Sequence, residues 1–161
     1  MPDSNLAELF LLRHGIAEER RDGWDHPERA LTLKGRVRTR AVVTALVRRG
    51  LAADRLVTSP YRRALETAQI ALEAALAPVL EIDAGLEPGG QLRPLIHQLS
   101  GRVCLVGHEP DLGSLGCQLL GLPPGALSLK KAGLLHLSRS DRGWRLLALL
   151  RPSLLLDSRE A

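Results

Sequence analysis

The chain has 161 residues, 45% of them hydrophobic and 25% charged, which suits one domain with one core and excludes a disordered chain. Aromatic residues make up only 2% and the formal charge of +4 contains no long run of one sign, which argues against a nucleic-acid partner bound by base stacking. No apolar run is long enough to cross a bilayer or follows the pattern of a secretory signal. We therefore expect one domain over residues 1–161, located in the cytoplasm and without a membrane partner.

The first predicted strand carries an arginine and a histidine at its end. Residues 7–15 are an apolar run that ends abruptly in Arg13-His14-Gly15, and residues 7–12 have the composition of a strand buried on both faces. Ligands in open α/β sheets lie just beyond the carboxyl ends of the strands. This end of the strand is therefore a candidate ligand site.

A polar loop over residues 16–33 precedes the first predicted helix. The helix is predicted over residues 34–49, with Thr32 as its N-cap and Gly50 as its C-cap. Apolar side chains recur at a spacing of four residues, while the intervening arginines face mostly outward. The predicted apolar face consists of Val37, Ala41, Val42, Ala45 and Leu46.

The second strand–helix unit follows directly. Residues 55–58 form a short predicted strand with Leu56 and Val57 as its core. Ser59 is the predicted N-cap of the next helix, and Pro60 takes its first position. That helix is predicted to end at about Leu76.

The remaining segments continue the alternation and end in two adjacent strands. A third strand, a loop rich in Gly, Pro and acid, a short helix, a fourth strand and a further helix precede a terminal hairpin. In that order they lie at residues 79–82, 83–90, 91–99, 102–106 and 111–120, and the hairpin pairs 134–137 with 144–150. The order predicts an α/β fold with a mostly parallel sheet and helices on both faces.

The two cysteines, Cys104 and Cys117, form no C-x-x-C pair and match no zinc-ligand spacing. Each lies within an apolar segment. We therefore expect two buried free thiols that act as small hydrophobic side chains.

Three predicted strands end in residues suited to binding an anion. These residues are Arg13-His14-Gly15, then Ser59 with Arg62 and Arg63, and Gly107-His108. Parallel strands align their carboxyl ends, so we expect the three groups to converge on one pocket. Arginine forks bind phosphate oxygens in pairs and a helix N-terminus adds N–H donors, so the pattern predicts a phosphate site.

These segments resemble the signatures of a known family. The matching motifs are Leu12-Arg13-His14-Gly15, Arg29-x-Leu31-Thr32-x-x-Gly35, Thr58-Ser59-Pro60-Tyr61-Arg62-Arg63-Ala64 with Glu66-Thr67-Ala68, and Val106-Gly107-His108-Glu109-Pro110. They are similar to the histidine phosphatase (phosphoglycerate-mutase-like) superfamily, and within it to the small phosphohistidine phosphatases of the SixA type. The resemblance covers residues 7–150 and implies a phosphoglycerate-mutase-like fold.

The resemblance implies a phosphatase that needs no metal and no other cofactor. His14 is the implied nucleophile, which forms a phosphohistidine intermediate that water hydrolyses. Its attacking nitrogen must be unprotonated, so its other ring nitrogen is expected to donate a hydrogen bond. The implied phosphate-binding residues, which stabilise the transferring group, are Arg13, Gly15, Ser59, Arg63 and His108.

The general acid is the least defined part of the expected site. Larger relatives place a glutamate in the loop after the third strand, and Glu87 is the candidate in this chain. Without an acid, the substrate needs a leaving group that departs easily, as in a phosphoramidate such as phosphohistidine. Arg62 lies about 100° around the helix from Arg63, so we expect it at the surface. We expect the remaining histidines to be structural or exposed; these are His26, His97 and His136.

The expected substrate is phosphohistidine on a protein of the histidine-phosphotransfer type, because the chain lacks the long insertions that cover small substrates in larger relatives. A phosphatase of a small phosphorylated metabolite remains open. A non-catalytic phosphate-binding module is the alternative outside enzymes, although the intact set of Arg13, His14, Arg63 and His108 argues against it.

Overall fold

Six strands form one mixed sheet in this computed structural model, which describes residues 5–159. The strands are β1 (Leu6–Arg13), β2 (Arg55–Thr58), β3 (Leu80–Ile82), β4 (Gly101–Gly107), β5 (Leu134–Ser140) and β6 (Gly143–Leu150). Their order across the sheet is β3-β2-β4-β1-β5-β6. The first four in that order are parallel, whereas β5 and β6 form the antiparallel hairpin at one edge. The predicted α/β class with a mostly parallel sheet is confirmed.

Helices cover both faces of this sheet. They are α1 (Leu33–Arg48), α2 (Arg62–Glu73), α3 (Leu92–His97), α4 (Asp111–Leu120) and α5 (Pro152–Leu155), with one 3-10 turn over Ala84–Leu86. Side chains of β1 alternate between two cores: Phe10 and Leu12 pack with α1 and α2, while Leu9 and Leu11 pack with α3 and α4. This two-sided burial explains why residues 7–12 are almost continuously apolar.

The start of α1 matches the prediction, but the C-cap is Arg49 and not Gly50, and part of the predicted apolar face is exposed. Thr32 is the N-cap and accepts from the N–H of Gly35, and Gly50 follows the helix at φ 86°. Val37, however, is 63% exposed. The buried face follows a spacing of three and four residues that begins one residue after Lys34, so Val37 lies on the opposite side; it comprises Gly35, Thr39, Val42, Val43 and Leu46.

The predicted start of α2 at Ser59 and Pro60 was also wrong. The helix begins at Arg62 with Tyr61 as its N-cap. The backbone N–H of Ser59 still bonds to the carbonyl oxygen of Val106 in β4, and the Ser59 hydroxyl accepts from the N–H of Tyr61. Ser59 therefore belongs to the sheet edge and the following turn.

Other differences lie at the ends of elements. The second helix ends at Glu73, because Ala75 adopts a left-handed backbone with φ 63°. The strands of the hairpin extend to a turn between Ser140 and Gly143. The last helix, α5, was not predicted from the sequence.

The sheet register brings the three predicted site segments to the carboxyl ends of adjacent parallel strands. Arg13 pairs with Gly107, and Thr58 pairs with Val106. Residues His14, Ser59 and His108 therefore leave three adjacent strands side by side. Within residues 5–159, no helix is long and apolar enough to cross a membrane.

Candidate active site

His14 lies directly beyond β1 and is 6% exposed. Its Nδ1 lies 2.7 Å from the carbonyl oxygen of Gly15, so the Nδ1–H donates to that oxygen and the Nε2 keeps its lone pair. Burial, more than the nearby cations, lowers the pKa of His14 from 6.5 to about 3, although the contact with Gly15 opposes the shift. The imidazole is therefore neutral at physiological pH, which is the form a nucleophile requires.

Arg63 lies in the first turn of α2 and is 2% exposed. Its Nε donates to Nε2 of His14 at 3.3 Å, and its Nη2 donates to Asp25 at 2.9 Å. Its Nη1 is buried and has no partner among the described residues. The Tyr61 ring supports the guanidinium at 5.1 Å from the Cζ. A buried cation with an unused donor beside Nε2 of His14 is suited to a phosphoryl oxygen.

His108 completes the pair of histidines, with its ring centroid 5.3 Å from that of His14. Its Nε2 lies 2.8 Å from the hydroxyl oxygen of Ser59. That oxygen already accepts from the N–H of Tyr61, so the hydroxyl proton can be donated to Nε2, which places the ring proton on Nδ1. The Nδ1 is buried and without a partner in residues 5–159. Burial lowers the pKa of His108 to about 3, so it is a neutral donor for an incoming oxygen.

Arg13 is held by the segment that follows α4. Its Nη1 donates to the carbonyl oxygen of Leu129 at 2.8 Å, whereas its buried Nε has no partner among the described residues. Glu109 fixes this arrangement, since its two carboxylate oxygens accept from the N–H groups of Gly113 and Leu129 at 2.6 and 3.1 Å. Burial lowers the pKa of Arg13, and the charge of Glu109 partly offsets the shift.

Two residues of the Glu66-Thr67-Ala68 segment connect the elements around the site. The Thr67 hydroxyl accepts from the N–H of Gly15 at 3.0 Å and donates to the carbonyl oxygen of Arg63 at 2.8 Å. Glu66 accepts from the N–H of Leu31 at 2.7 Å and also binds the side chains of Arg36 and Arg62. These bonds fix the position of α2, and so of Arg63, relative to His14.

A cavity of about 620 Å³ is lined by Arg13, His14, Arg63 and His108. The structure therefore brings together the main site residues expected from three separate strand ends. Ser59 is behind this wall, bonded to His108, and the N–H of Gly15 is already engaged by Thr67.

The same cavity contains two ion pairs of Asp25 that could not be foreseen from the sequence. Asp25 accepts from Arg29 at 2.7 and 3.1 Å and from Arg63 at 2.9 Å. Burial raises the pKa of Asp25, but the hydrogen bond from Arg29 and the charge of Arg63 outweigh it and hold the pKa below its usual value. The Arg29-x-Leu31-Thr32-x-x-Gly35 motif pointed to Arg29, but nothing in the polar loop indicated that Asp25 contacts a residue 38 positions away.

Glu87 is half-buried in the loop after the 3-10 turn. Its neighbour Pro88 lines the cavity, and Glu87 is not among the residues that form the wall. Arg62 is on the outer side of α2, where it binds Glu66 and is 51% exposed, as the helical spacing predicts. No metal-binding group of three or more His, Cys, Asp or Glu side chains occurs within the described residues 5–159.

The other histidines and both cysteines lie away from this cavity. His26 contacts Trp24, His97 is exposed, and His136 binds Glu8 at 2.8 Å. Cys104 and Cys117 are buried free thiols, as expected. Burial raises the pKa of Cys104 to about 12, so it is not a reactive thiolate.

Comparison with known proteins connects this geometry to a family. Residues 9–87 match the sequence model of the histidine phosphatase superfamily (branch 1). An uncharacterized protein of Picosynechococcus sp. (strain ATCC 27264 / PCC 7002 / PR-6) is 38% identical over 138 residues, which are 81% of this chain and 84% of that protein.

Solved structures share the fold. A protein of Agrobacterium tumefaciens described as the phosphohistidine phosphatase SixA superimposes with a TM-score of 0.78 at 22% identity, over 91% of this chain and 99% of that one. The protein histidine phosphatase SixA complexed with tungstate superimposes with a TM-score of 0.79 at 21% identity, over 92% of this chain and 99% of that one. A mycobacterial glucosyl-3-phosphoglycerate phosphatase complexed with VO3 superimposes with a TM-score of 0.73 at 22% identity, over 90% of this chain and 99% of that one.

The fold is thus the phosphoglycerate-mutase-like fold of SixA. The matched segment contains His14 and Arg63, and the sheet brings Arg13 and His108 to the same cavity. The chain belongs to the histidine phosphatase superfamily.

Proposed function

We propose that the protein is a metal-independent phosphatase that transfers the phosphoryl group of its substrate to Nε2 of His14. The observation that carries this proposal is a buried, neutral histidine whose Nδ1–H is bonded to Gly15 and whose Nε2 faces the donors of Arg63. This arrangement holds the imidazole in the reactive tautomer and places a cation beside the attacking atom.

The reaction proceeds in two displacements. The Nε2 lone pair of His14 attacks phosphorus, and the bond to the leaving group breaks with its electron pair on the departing atom, which takes a proton from solvent or an acid. Water then attacks the phosphorus of phospho-His14 and releases one proton to solvent, while the electron pair of the P–N bond returns to Nε2 and phosphate departs. The donors for the phosphoryl oxygens are Arg13, the free Nη1 of Arg63, and His108.

Phosphohistidine on a protein is the proposed substrate. The ionised Asp25 and the neutral His108 do not supply a proton to the leaving group near neutral pH, which suits the easily cleaved P–N bond of a phosphoramidate. Exposed residues such as Glu18, Arg20 and Pro88 contribute to the cavity wall, so the cavity reaches the surface that a protein partner meets. SixA, whose fold this chain shares, is a protein histidine phosphatase.

A small phosphorylated metabolite is the second candidate substrate. The cavity of about 620 Å³ lies within the size range of small-molecule sites. A phosphatase of glucosyl-3-phosphoglycerate has the same fold. For an alkyl phosphate ester of this kind Glu87 remains the proposed acid.

Phosphate release by the wild type and by His14→Ala, without added metal, tests both candidates. The panel consists of a phosphohistidine-bearing phosphotransfer protein, p-nitrophenyl phosphate and several sugar phosphates. We expect a preference for the phosphohistidine protein and no turnover by His14→Ala. Preference for a sugar phosphate favours the metabolite reading, and binding without cleavage of any substrate favours a phosphate-binding module.

A further inference from the structure

A second cavity adjoins the active site and is lined mainly by basic residues. We call it the basic recess; its volume is about 410 Å³, and its basic residues are Arg13, Arg38, Lys130, Lys131 and Arg151. Arg13 and Lys131 also line the active-site cavity, so the two cavities share a wall. No carboxylate among the described residues lines the recess.

The backbone holds this shared wall in place against the end of β1. The N–H of Ala132 donates to the carbonyl oxygens of Arg13 and His14. The N–H of Gly133 donates to the carbonyl oxygen of Lys130. The N–H of Arg13 in turn bonds to the carbonyl oxygen of Gly133. The segment with Lys130 and Lys131 is therefore fixed relative to the nucleophile.

Four basic side chains of the recess have no carboxylate partner among the described residues, whereas seven arginines elsewhere have one. Arg29, Arg36, Arg40, Arg55, Arg62, Arg63 and Arg102 each pair with a carboxylate. In the described residues, the side chains of Arg38, Lys130, Lys131 and Arg151 make neither an ion pair nor a hydrogen bond. Glu109 acts on Arg13 through its charge, and both of its carboxylate oxygens accept from backbone N–H groups.

Two buried donors of the recess also lack partners. The Nε atoms of Arg13 and Arg38 are inaccessible to water and unbonded within residues 5–159. Neither Nε is matched by an acceptor among these residues, so the positive charge of both guanidinium groups adds to the potential of the recess, which favours an anion. The pKa of Lys131 is lowered by burial and then by the charges of Arg13 and Arg29, which is a further sign of excess positive charge.

We infer that the basic recess is a second anion subsite, which binds a carboxylate that the substrate carries next to its phosphoryl group. The inference rests on the proposed phosphatase function and deepens it by assigning a substrate class. A carboxylate that enters the recess satisfies the free donors of Arg38 and Arg151 while the phosphoryl group remains between Arg13 and Arg63. The carboxylate belongs either to an acidic side chain beside a phosphorylated residue or to a small phosphorylated acid.

Two pairs of matched substrates distinguish these sources. The first pair is a phosphohistidine peptide flanked by two glutamates and the same peptide with two glutamines. The second pair is 3-phosphoglycerate and glycerol 3-phosphate, which differ by the carboxylate. Steady-state kinetics would be measured with the wild type, with Arg38→Gln/Arg151→Gln, and with Lys130→Gln/Arg151→Gln, in which both changed residues are exposed.

The control variant is Arg142→Gln/Arg145→Gln, which removes the same charge from exposed positions on the hairpin at the other end of the sheet. We expect the recess variants to raise KM for the acidic member of a pair by about tenfold, with kcat and the neutral member changed by less than about twofold. p-Nitrophenyl phosphate reports whether the variants remain folded and active.

A rise in KM confined to the glutamate-flanked peptide assigns the recess to an acidic protein segment. A rise in KM confined to 3-phosphoglycerate assigns it to a small phosphorylated acid. The inference would be overturned if KM rose equally for both members of each pair. It would also be overturned if the control variant showed the same selective rise in KM. A wild type that cleaves neither peptide contradicts the phosphohistidine proposal alone, because the ester pair still tests the recess.

Discussion

The chemistry of His14 depends on its surroundings more than on its identity. Its Nδ1–H is bonded to Gly15, its Nε2 contacts Arg63, and burial excludes the proton that an exposed histidine would take up near pH 6.5. Because the cationic form is disfavoured, the lone pair is available throughout the physiological range.

The pH dependence of kcat/KM tests this low pKa directly. With the pKa of His14 at about 3, protonation of the nucleophile does not reduce activity between pH 7 and pH 5. After correction for the second ionisation of p-nitrophenyl phosphate, we expect no loss of kcat/KM centred near the ordinary histidine pKa of about 6.5. A loss centred there would mean that His14 takes up a proton near pH 6.5 and that burial does not lower its pKa.

Neighbouring arginines of α2 provide a matched pair of variants. Arg63 contacts His14 and is buried, whereas Arg62 binds Glu66 at the surface. We expect Arg63→Ala to lower kcat by about 100-fold or more, since it removes a donor to the transferring group. Arg62→Ala should stay within about threefold, because surface ion pairs contribute little. Similar kinetic losses in both variants would exclude a specific role for Arg63.

The role of Glu87 as general acid is tested by comparing two classes of substrate, because Glu87 does not form the cavity wall. If it is the acid, Glu87→Gln slows hydrolysis of alkyl phosphate esters by about tenfold or more and leaves phosphohistidine nearly unchanged. Steady-state rates on both substrates would show the difference. An equal effect on the two, or none, removes Glu87 from the acid role.

Among the elements, α1 shows how a small residue permits close packing beside the site. A Cβ added to Gly35 would collide with the carbonyl oxygen of Ile16, a backbone atom that cannot rotate away. The same carbonyl accepts from the N–H of Thr32, so the first turn of α1 is fixed against the loop after His14. The glycine of the Arg29-x-Leu31-Thr32-x-x-Gly35 motif is thus explained by this contact.

Gly35→Ala should therefore destabilise the protein in spite of the higher helix propensity of alanine. We expect a loss of about 1–3 kcal/mol in the free energy of unfolding, as for other overpacked sites. Urea unfolding would measure it, with Leu33→Ala as the control because Leu33 is 79% exposed in the same turn. Equal stability of the two variants would contradict the packing role.

The elements were predictable where local chemistry determines them. Alternation and continuous apolar runs located the strands, and Thr32 marked the start of α1. Ser59 was misread because its sequence, Ser-Pro, is typical of a helix start, while a tertiary bond to Val106 keeps it in the sheet. Val37 was misplaced because several apolar residues allowed two rotations of α1, and only packing on the sheet selects one.

In the whole molecule, the convergence of Arg13, His14, Arg63 and His108 could be predicted because parallel strands align their carboxyl ends. The sequence did not predict the pairing of Asp25 with Arg63 or the position of Lys131. Both depend on loops whose path is set by long-range contacts, and neither loop has a periodic pattern.

Acid stability is a property of the whole molecule that follows from the two buried histidines. His14 and His108 have a pKa of about 3 when folded and 6.5 as the ordinary value, so the unfolded chain binds more protons between these limits. Their contribution to stability is complete above the unfolded value and declines as the pH falls. From about pH 7.5 to about pH 5, each should cost about 2 kcal/mol of unfolding free energy.

The variant His14→Asn/His108→Asn should lose this dependence. Urea unfolding at several pH values would show a flatter profile for the variant than for the wild type. The acids with lowered pKa values, such as Asp25 and Glu66, lose their contribution only at lower pH, so this range isolates the histidines. Parallel profiles for the two proteins would show that the histidines are not buried in neutral form.

The most direct measurement is to trap the covalent intermediate. Wild type and His14→Ala would be mixed with a labelled phosphohistidine protein, quenched within milliseconds in alkali, which preserves phosphohistidine, and mapped by mass spectrometry. We predict a phosphoryl group on His14 that acid removes, and none in the His14→Ala variant. Rapid phosphate release without a phosphorylated His14, or with the label on another residue, would contradict nucleophilic catalysis by this histidine.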